Sequence, residues 1–329
     1  MRHGHTHDAH EHGHDEPDEV HEQHHHHHDH GVTVTAATRR GPLWAALLLL
    51  LAFMLAEVVI ALLTGSLALL SDAGHMLTDA ASIAIALWAA GLAVRPPRGP
   101  MTFGWRRAEI ISAMVNGVSL LVVALVVLVE AVRRLVDPPQ VDALPVIVVA
   151  LVGMVVNVVD VRLIAAANRT SLNVEGAYQH ILTDLFGFIG TLVAGVVIYV
   201  TDWTRADAIA SLIVVALMAR AGVPITIKAV RVLMEAAPAD LDLDEVREHL
   251  LGVDHVQAAH DLHAWTVTSG VTSISAHVVI ADECFTDSHA NEILDQLDEC
   301  LAEHFDISHS TIQLEPARHR AHERNATSV

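Results

Sequence analysis

Charged, aromatic and cysteine residues are all scarce in this 329-residue sequence: 18% of the residues are charged and 4% are aromatic. The two cysteines, Cys284 and Cys300, form no CxxC pair, so no disulfide framework is expected and a reducing compartment is favoured. Beyond its first 41 residues the sequence contains no HExxH motif, and the chain has no Walker motif and no DKTG phosphorylation sequence. These absences count against a metalloprotease and against a pump driven by ATP.

Apolar residues are what the sequence has in abundance: they make up 52% of the chain and give a mean hydropathy of +0.42. Soluble domains seldom combine such values with so few charges, so membrane-spanning helices are expected. The formal net charge of −20 comes mainly from the first thirty residues and from the region after Glu235. Nucleic acid is therefore not an expected partner.

The first 41 residues form a low-complexity segment rich in histidine and acidic residues, with almost nothing that a core could bury. We predict a disordered arm, and we see no apolar region typical of a cleavable signal peptide. A purification tag would explain the histidines, but their scattering among Asp and Glu argues against it. An arm that collects or buffers zinc-like ions fits better, because neutral imidazole ligates such ions.

Six apolar runs follow, each near the ~20 residues that a helix needs to cross a bilayer. They predict an all-α transmembrane domain over residues 42–230. Basic residues concentrate at alternate ends of the runs, so the positive-inside rule places both termini in the cytoplasm. Many Ala, Val and Arg residues with few Lys are typical of a GC-rich bacterial genome, hence of an inner membrane. The runs are 43–64, 69–94, 108–132, 143–167, 175–200 and 204–226.

The pattern changes between residues 233 and 316, where helical spacing and strand alternation follow each other in the order αββαβ. A segment of about 80 residues suffices for a small α+β domain with one modest core. Thr286, Asp287 and Ser288 are candidate caps for its second helix. Residues 317–329 are expected to form a flexible tail.

Ionisable residues interrupt two of the apolar runs at the same spacing. His75 and Asp79 are four residues apart, hence on one helix face, and His180 and Asp184 repeat this pattern. Asp72 falls near the face of the first pair. An ionisable group at mid-bilayer costs about 2.5–3.5 kcal/mol on insertion scales. If the two helices touch, two imidazoles and two carboxylates converge into a donor set that suits tetrahedral zinc and accepts cadmium or cobalt.

Structural interpretations compete with this one. A single HxxxD pair can simply form an interhelical hydrogen bond, although two copies at identical spacing weaken that explanation. Glu57 in the first run either packs or lines a polar path, and Asn157 and Asp160 in the fourth run are better explained by structural hydrogen bonds. Three glycines of the fifth run favour close helix packing without a ligand role: Gly187, Gly190 and Gly195.

Several motifs together resemble the cation diffusion facilitator family, in its zinc-transporting branch. In order they are HMLTD, TFGWRRAEIISAMVNG, HILTD, AHDLHAW and TIQLE, and the resemblance covers about residues 43–316. It implies a homodimeric antiporter with six helices per subunit, a cytoplasmic ferredoxin-like domain, and exchange of Zn²⁺ for protons. It assigns the transport site to His75, Asp79, His180 and Asp184.

The resemblance also implies zinc ligands in the cytoplasmic domain, near the dimer interface. The residues that match those ligands are His260, His277 and Glu315, with His309 and His289 as further candidates. The chain departs from the family pattern at Arg106, where many zinc-transporting members have histidine. A zinc site in the loop between the second and third helices is therefore not expected. The loop between the fourth and fifth helices lacks the usual histidine cluster, and the N-terminal arm is a candidate substitute.

The predicted function is export of Zn²⁺ (or Cd²⁺ or Co²⁺) from the cytoplasm by alternating access, in exchange for protons and without an organic cofactor. Ligation needs neutral imidazole and ionised carboxylate, so protons compete with the metal. The first alternative is another principal cargo: cadmium, cobalt, nickel, iron, or manganese, which prefers oxygen ligands. The second is a metal-sensing or storage membrane protein. An intramembrane metalloenzyme is disfavoured, because four protein ligands leave no position for a catalytic water.

Deletion of residues 1–38 tests the role of the arm. We expect zinc uptake to fall when zinc is scarce, because the arm no longer concentrates the ion, while turnover at saturating zinc stays nearly unchanged. Initial rates of uptake into proteoliposomes over a range of zinc concentrations measure both quantities. An unchanged rate at limiting zinc would contradict a collecting role.

Overall fold

The computed structural model describes residues 40–64, 67–138, 143–167, 169, 171–286 and 289–319. Almost all of the predicted N-terminal arm lies outside these residues, as do the candidate caps Asp287 and Ser288 and most of the predicted tail. Within the described helices, the side chains of Glu57, Asp72 and His75 also lie outside the described part.

Six long helices make up the first part of the described chain. By length and composition, five of them are long and apolar enough to cross a membrane, and the first contains a shorter apolar segment, Arg40–Ala56. Large apolar side chains such as Leu125 and Val200 are 61% and 72% exposed, as expected where lipid replaces water as the solvent. The predicted helical membrane domain is thereby confirmed. The helices are α1 (Arg40–Thr64), α2 (Leu67–Ala93), α3 (Ala108–Val136), α4 (Ala143–Ala165), α5 (Leu172–Thr201) and α6 (Arg205–Leu233).

Two of the helix ends that differ from the sequence prediction have a clear physical reason. Helix α5 begins at Leu172, because the Ser171 side chain caps its first turn by accepting a hydrogen bond from the Val174 N–H. Helix α6 continues to Leu233, seven residues past the predicted end of the apolar run. Its last two turns carry Lys228 and Arg231, whose charged heads can reach the interface while their stems stay in apolar surroundings.

Glycine residues allow the backbones of α3 and α6 to pack at a short distance. A Cβ atom on Gly117 would lie 2.5 Å from Thr226 Oγ1, and one on Gly222 would lie 3.1 Å from the Gly117 carbonyl oxygen. In α5, a Cβ on Gly195 would lie 2.9 Å from Ile147 Cγ1, whereas Gly187 and Gly190 have ordinary van der Waals space. Close backbone packing therefore depends on glycine at the α3–α6 crossing and at the α4–α5 crossing.

The second part of the described chain is a small α+β domain with a three-stranded sheet, as predicted. The sheet order is β1-β2-β3; β1 and β2 are antiparallel, and β2 and β3 are parallel. Two helices pack on the sheet over a core that includes Leu250, Ile274 and Leu297. Its elements are α7 (Leu243–Leu251), β1 (Val256–Thr268), β2 (Val271–Ile280), a 3₁₀ turn (Asp282–Phe285), α8 (His289–Phe305) and β3 (His309–Pro316).

We predict that Gly117→Ala destabilises the membrane domain by about 1–3 kcal/mol, because its methyl group has no room against α6. The thermal unfolding midpoint in detergent, followed by circular dichroism, measures this change. Gly91→Ala in α2 is the matched control, since only the Arg40 guanidinium, at 4.0 Å, approaches its Cβ position. Equal midpoints for the two variants would contradict the packing described here.

Candidate metal centres

The first cluster of metal-ligating groups lies between α2 and α5. His180 Nε2 is 3.0 Å from Asp79 Oδ1 and 3.8 Å from Asp184 Oδ2. The two residues of α5 share a face because they are four positions apart, and Asp79 reaches them from the facing helix. One ligand atom from each of the three residues lies within 4.8 Å of the others. The structure thus brings together three of the four residues of the predicted transport site.

The donor set of this cluster fits a divalent cation. His180 Nδ1 and Asp184 Oδ2 are buried, and neither has a hydrogen-bond partner among the described residues. Such atoms are costly among apolar helices unless a cation or proton satisfies them. Nitrogen and carboxylate oxygen together suit zinc and its neighbours. The ligand role of His75 stays a prediction, because its side chain lies outside the described part of the chain.

A cavity of about 250 Å³ adjoins the cluster and is lined by Asp79, His180 and Asp184. It follows α5 as far as Thr191, which lies about 16 Å of helix rise beyond His180. The opposite end of α5 contacts the α+β domain, where the Leu172 N–H donates to Ser269 Oγ at 3.1 Å. The cavity therefore extends from the cluster away from the α+β domain.

Buried hydrogen bonds tie the helices together on the side of the α+β domain. Ser112 Oγ donates to Asn173 Oδ1 at 2.6 Å, and Asn173 Nδ2 donates to the Ala86 carbonyl at 2.8 Å. These contacts join α3, α5 and α2. Sequence patterns predicted neither these contacts nor Glu109, which is buried at the start of α3. A glutamate in the first turn of an otherwise apolar helix was the signal that could have revealed Glu109.

The second cluster lies in the α+β domain, and each strand contributes one residue to it. His277 Nδ1 of β2 is 2.7 Å from Glu315 Oε1 of β3, and His260 Nε2 of β1 is 3.6 Å from Glu315 Oε2. The strand register places His260 directly opposite His277. Glu315 is 1% exposed, and its Oε2 has no hydrogen-bond partner among the described residues. The set of two imidazoles and a carboxylate fits zinc.

An irregularity in β1 brings one further carboxylate to this cluster. Asp261 has φ 51° at the register shift between His260 and His263. Its Oδ2 lies 3.9 Å from His277 Nε2, and its Oδ1 lies 3.1 Å from His263 Nε2. Asp261 could not be predicted from the sequence pattern, because strict strand alternation would point it away from His260.

The structure does not bring His309 and His289 to the second cluster within one subunit. His309 begins β3, and six extended residues separate it from Glu315 by about 20 Å; its ring packs edge-on against Phe103 with centroids 6.0 Å apart. His289 begins α8, where its ring lies 6.3 Å from that of His255. The ligand roles of His309 and His289 therefore stay predictions.

Two other groups bear on the ligand sets. The prediction that Asp160 makes a structural hydrogen bond finds no support in the described part: both carboxylate oxygens are buried there without a hydrogen-bond partner.

Cys300 is not part of either cluster. Burial and the nearby Glu303 carboxylate raise the pKa of the Cys300 thiol, which disfavours the thiolate that zinc requires.

Two family profiles match the chain. The cation efflux transmembrane domain matches residues 43–234, and the cytoplasmic domain of cation efflux proteins matches residues 238–317. The first match alone covers more than half of the chain, and the boundary between the two falls just after α6.

Several named proteins are similar to this chain over most of their length. The cadmium, cobalt and zinc/H⁺-K⁺ antiporter of Bacillus subtilis is 37% identical over 81% of this chain and 86% of its own. The metal cation efflux system protein CzcD of Cupriavidus metallidurans is 41% identical over 80% and 83%, and the zinc transporter ZitB of Escherichia coli is 36% identical over 80% and 83%. A solved structure, the metal-bound C-terminal domain of the CzcD transporter from Cupriavidus metallidurans, is 41% identical over 23% of this chain and 99% of its own, with a TM-score of 0.21.

We predict that His277→Ala weakens zinc binding to the second cluster by about tenfold or more, because one of its three ligands is lost. Isothermal titration of the full chain measures this, in an Asp79→Asn/Asp184→Asn background that disables the first cluster. His263→Ala is the matched control, since that histidine lies two residues past Asp261 and is 56% exposed. The same zinc affinity in both variants would contradict the assignment of His277.

Proposed function

The chain belongs to the cation efflux family, also called cation diffusion facilitators, and on that premise we propose that it exports Zn²⁺ from the cytoplasm in exchange for protons. The observation that carries this proposal is the cluster of Asp79, His180 and Asp184 between two apolar helices, in which His180 is buried and both aspartates are partly buried. The named relatives are antiporters of cadmium, cobalt and zinc or zinc transporters, and they support the same activity here. The chain is thus a transporter, with no catalytic role proposed.

Proton exchange follows from the chemistry of the ligands. The same nitrogen and oxygen atoms bind either Zn²⁺ or protons, so a more acidic compartment displaces the metal. Histidine, unperturbed at about 6.5, titrates within the range that a membrane pH gradient spans. The carboxylates of Asp79 and Asp184 supply the negative charge that makes a bare dication tolerable among apolar helices.

Alternating access is supported by the asymmetry around the cluster. The cavity runs from His180 toward Thr191, away from the α+β domain, while Ser112 and Asn173 link the helices on the other side. We propose that this arrangement is the outward-open state. In the inward-open state, the hydrogen bonds that join α2, α3 and α5 break, and the cavity between His180 and Thr191 closes. The protein thereby exposes one set of ligands to each side in turn.

Zinc is the proposed principal cargo, with cadmium and cobalt as accepted alternatives. An imidazole nitrogen among carboxylate oxygens favours these borderline ions over manganese, which prefers oxygen ligands alone. The ligand preferences of nickel and iron overlap with this donor set, so the residues alone do not separate them from zinc. A metal competition assay on the purified protein distinguishes these cargoes.

The α+β domain is proposed to be a ferredoxin-like, cytoplasmic domain that forms a homodimer and binds regulatory zinc at His260, His277 and Glu315. Support comes from its αββαβ order, from the matched cytoplasmic domain, which is a dimerisation domain in this family, and from the fit of its donor set. Bacterial relatives and the basic residues at alternate helix ends support an inner membrane with both termini in the cytoplasm. The proposed domains are residues 42–230 and 233–316.

We predict that Asp184→Asn reduces zinc uptake into proteoliposomes to the level of protein-free vesicles, because the ligand set loses a charge that zinc needs. Uptake by the native chain should accelerate when the receiving lumen is the more acidic side, since protons there displace the metal. A zinc-sensitive dye inside vesicles with an imposed pH difference measures both effects.

The matched control is Asp202→Asn at the other end of the same helix. Asp202 is exposed and has φ 56° as the C-cap of α5, a conformation that asparagine also adopts. Its uptake should equal that of the native chain. Undiminished, pH-driven uptake in the Asp184→Asn protein would defeat the proposal.

A further inference from the structure

One buried carboxylate connects the parts of the chain that carry the two metal clusters. Glu109, in the first turn of α3, is 4% exposed. Its Oε1 accepts a hydrogen bond from Ser171 Oγ, and its Oε2 accepts one from Thr268 Oγ1 at 2.8 Å. Ser171 caps α5, whereas Thr268 ends β1 in the α+β domain. Glu109 thus holds three elements at a single point.

The chemistry of this junction explains how a carboxylate is tolerated there. Both of its oxygens accept hydrogen bonds from hydroxyl groups, so neither oxygen is buried without a partner. The positive ends of two helix dipoles meet at the same place, because Glu109 lies in the first turn of α3 and beside the capped start of α5. The fully buried Thr268 hydroxyl completes the site. Removing one partner would leave a buried polar group unsatisfied, which is costly.

A second contact reinforces the same connection. The Leu172 N–H, in the first turn of α5, donates to Ser269 Oγ at 3.1 Å. Thr268 and Ser269 lead into the turn between β1 and β2, where Gly270 has φ 74°. This turn therefore presents two consecutive hydroxyl groups to the membrane helices, one to Glu109 and one to the start of α5.

The elements on either side of the junction lead to the metal ligands. Strand β1 carries His260 eight residues before Thr268, and its partner β2 carries His277. Helix α5 carries His180 nine residues after its Ser171 cap, with Asp184 one turn later. Strands and helices move as units, so a displacement of the β1–β2 hairpin reaches the start of α5 through the hydroxyl contacts.

We propose that Glu109 is a positioning residue that couples zinc binding in the α+β domain to the geometry of the transport cluster. The inference rests on the proposed function, in which the first cluster transports zinc and the second regulates it. Zinc bound by His260, His277 and Glu315 restricts the motion of the β1–β2 hairpin. The hairpin then holds the first turn of α5 in place through Thr268 and Glu109. Without the junction, zinc in the α+β domain no longer affects transport.

Transport kinetics in proteoliposomes test this coupling. His277→Ala in the otherwise native chain should raise the KM for zinc by about fivefold, the low end for coupled sites, with little change in kcat. In a Thr268→Val or Glu109→Gln background, the same His277→Ala change should raise KM no further, because the connection is already broken. Glu130→Gln is the matched control: it removes another carboxylate of α3, one exposed and paired with Arg134, and should leave the fivefold effect intact. A full fivefold effect in the Thr268→Val background would overturn the proposal.

Amide hydrogen exchange separates this inference from the proposed function. In an Asp79→Asn/Asp184→Asn protein, added zinc acts through the α+β cluster, and it should slow exchange over residues 171–178. The slowing should vanish when Thr268→Val or Glu109→Gln is added, while zinc affinity measured by titration stays the same and shows that the domain is folded. Failed zinc uptake with persistent slowing would sink the transport proposal alone. Normal uptake with no zinc-dependent slowing, or with slowing that survives both junction variants, would overturn the role of Glu109.

Discussion

The placement of carboxylates and an imidazole among apolar helices is the constraint on which the rest of this protein depends. Asp79, His180 and Asp184 cannot remain unsatisfied in surroundings of low polarity, so either a cation or protons must accompany them. Because the same three side chains bind either a cation or protons, metal binding and proton binding are coupled through the ligands themselves. It also explains why a cavity reaches the cluster, because the partner ion has to arrive and leave through the helices.

The two clusters solve the problem of holding a metal in different settings. In the membrane domain, two helices supply the ligands, and helices can shift against each other, as a moving cargo demands. In the α+β domain, three hydrogen-bonded strands each supply one residue, so the register of the sheet fixes His260, His277 and Glu315 more rigidly. A rigid site in the α+β domain and a deformable site in the membrane domain suit the regulatory and transport roles proposed for them.

Sequence patterns predicted those features that repeat along the chain. The apolar runs gave the helices to within a few residues at most ends, and the four-residue spacing placed His180 and Asp184 on one face. Patterns could not predict contacts between distant segments: Glu109 and Thr268 are 159 positions apart, and each looks ordinary in its own neighbourhood. The same limit applies to Asp261, whose place depends on a strand irregularity.

The most direct test of the central claim is the location of zinc bound to the full chain, found by anomalous diffraction at the zinc absorption edge. We expect one anomalous peak between α2 and α5, with Asp79, His180 and Asp184 at about 2.0–2.2 Å from it. A second peak is expected among the strands of the α+β domain. Zinc bound only in the α+β domain, with no peak between the membrane helices at saturating zinc, would show that Asp79, His180 and Asp184 do not form a metal site.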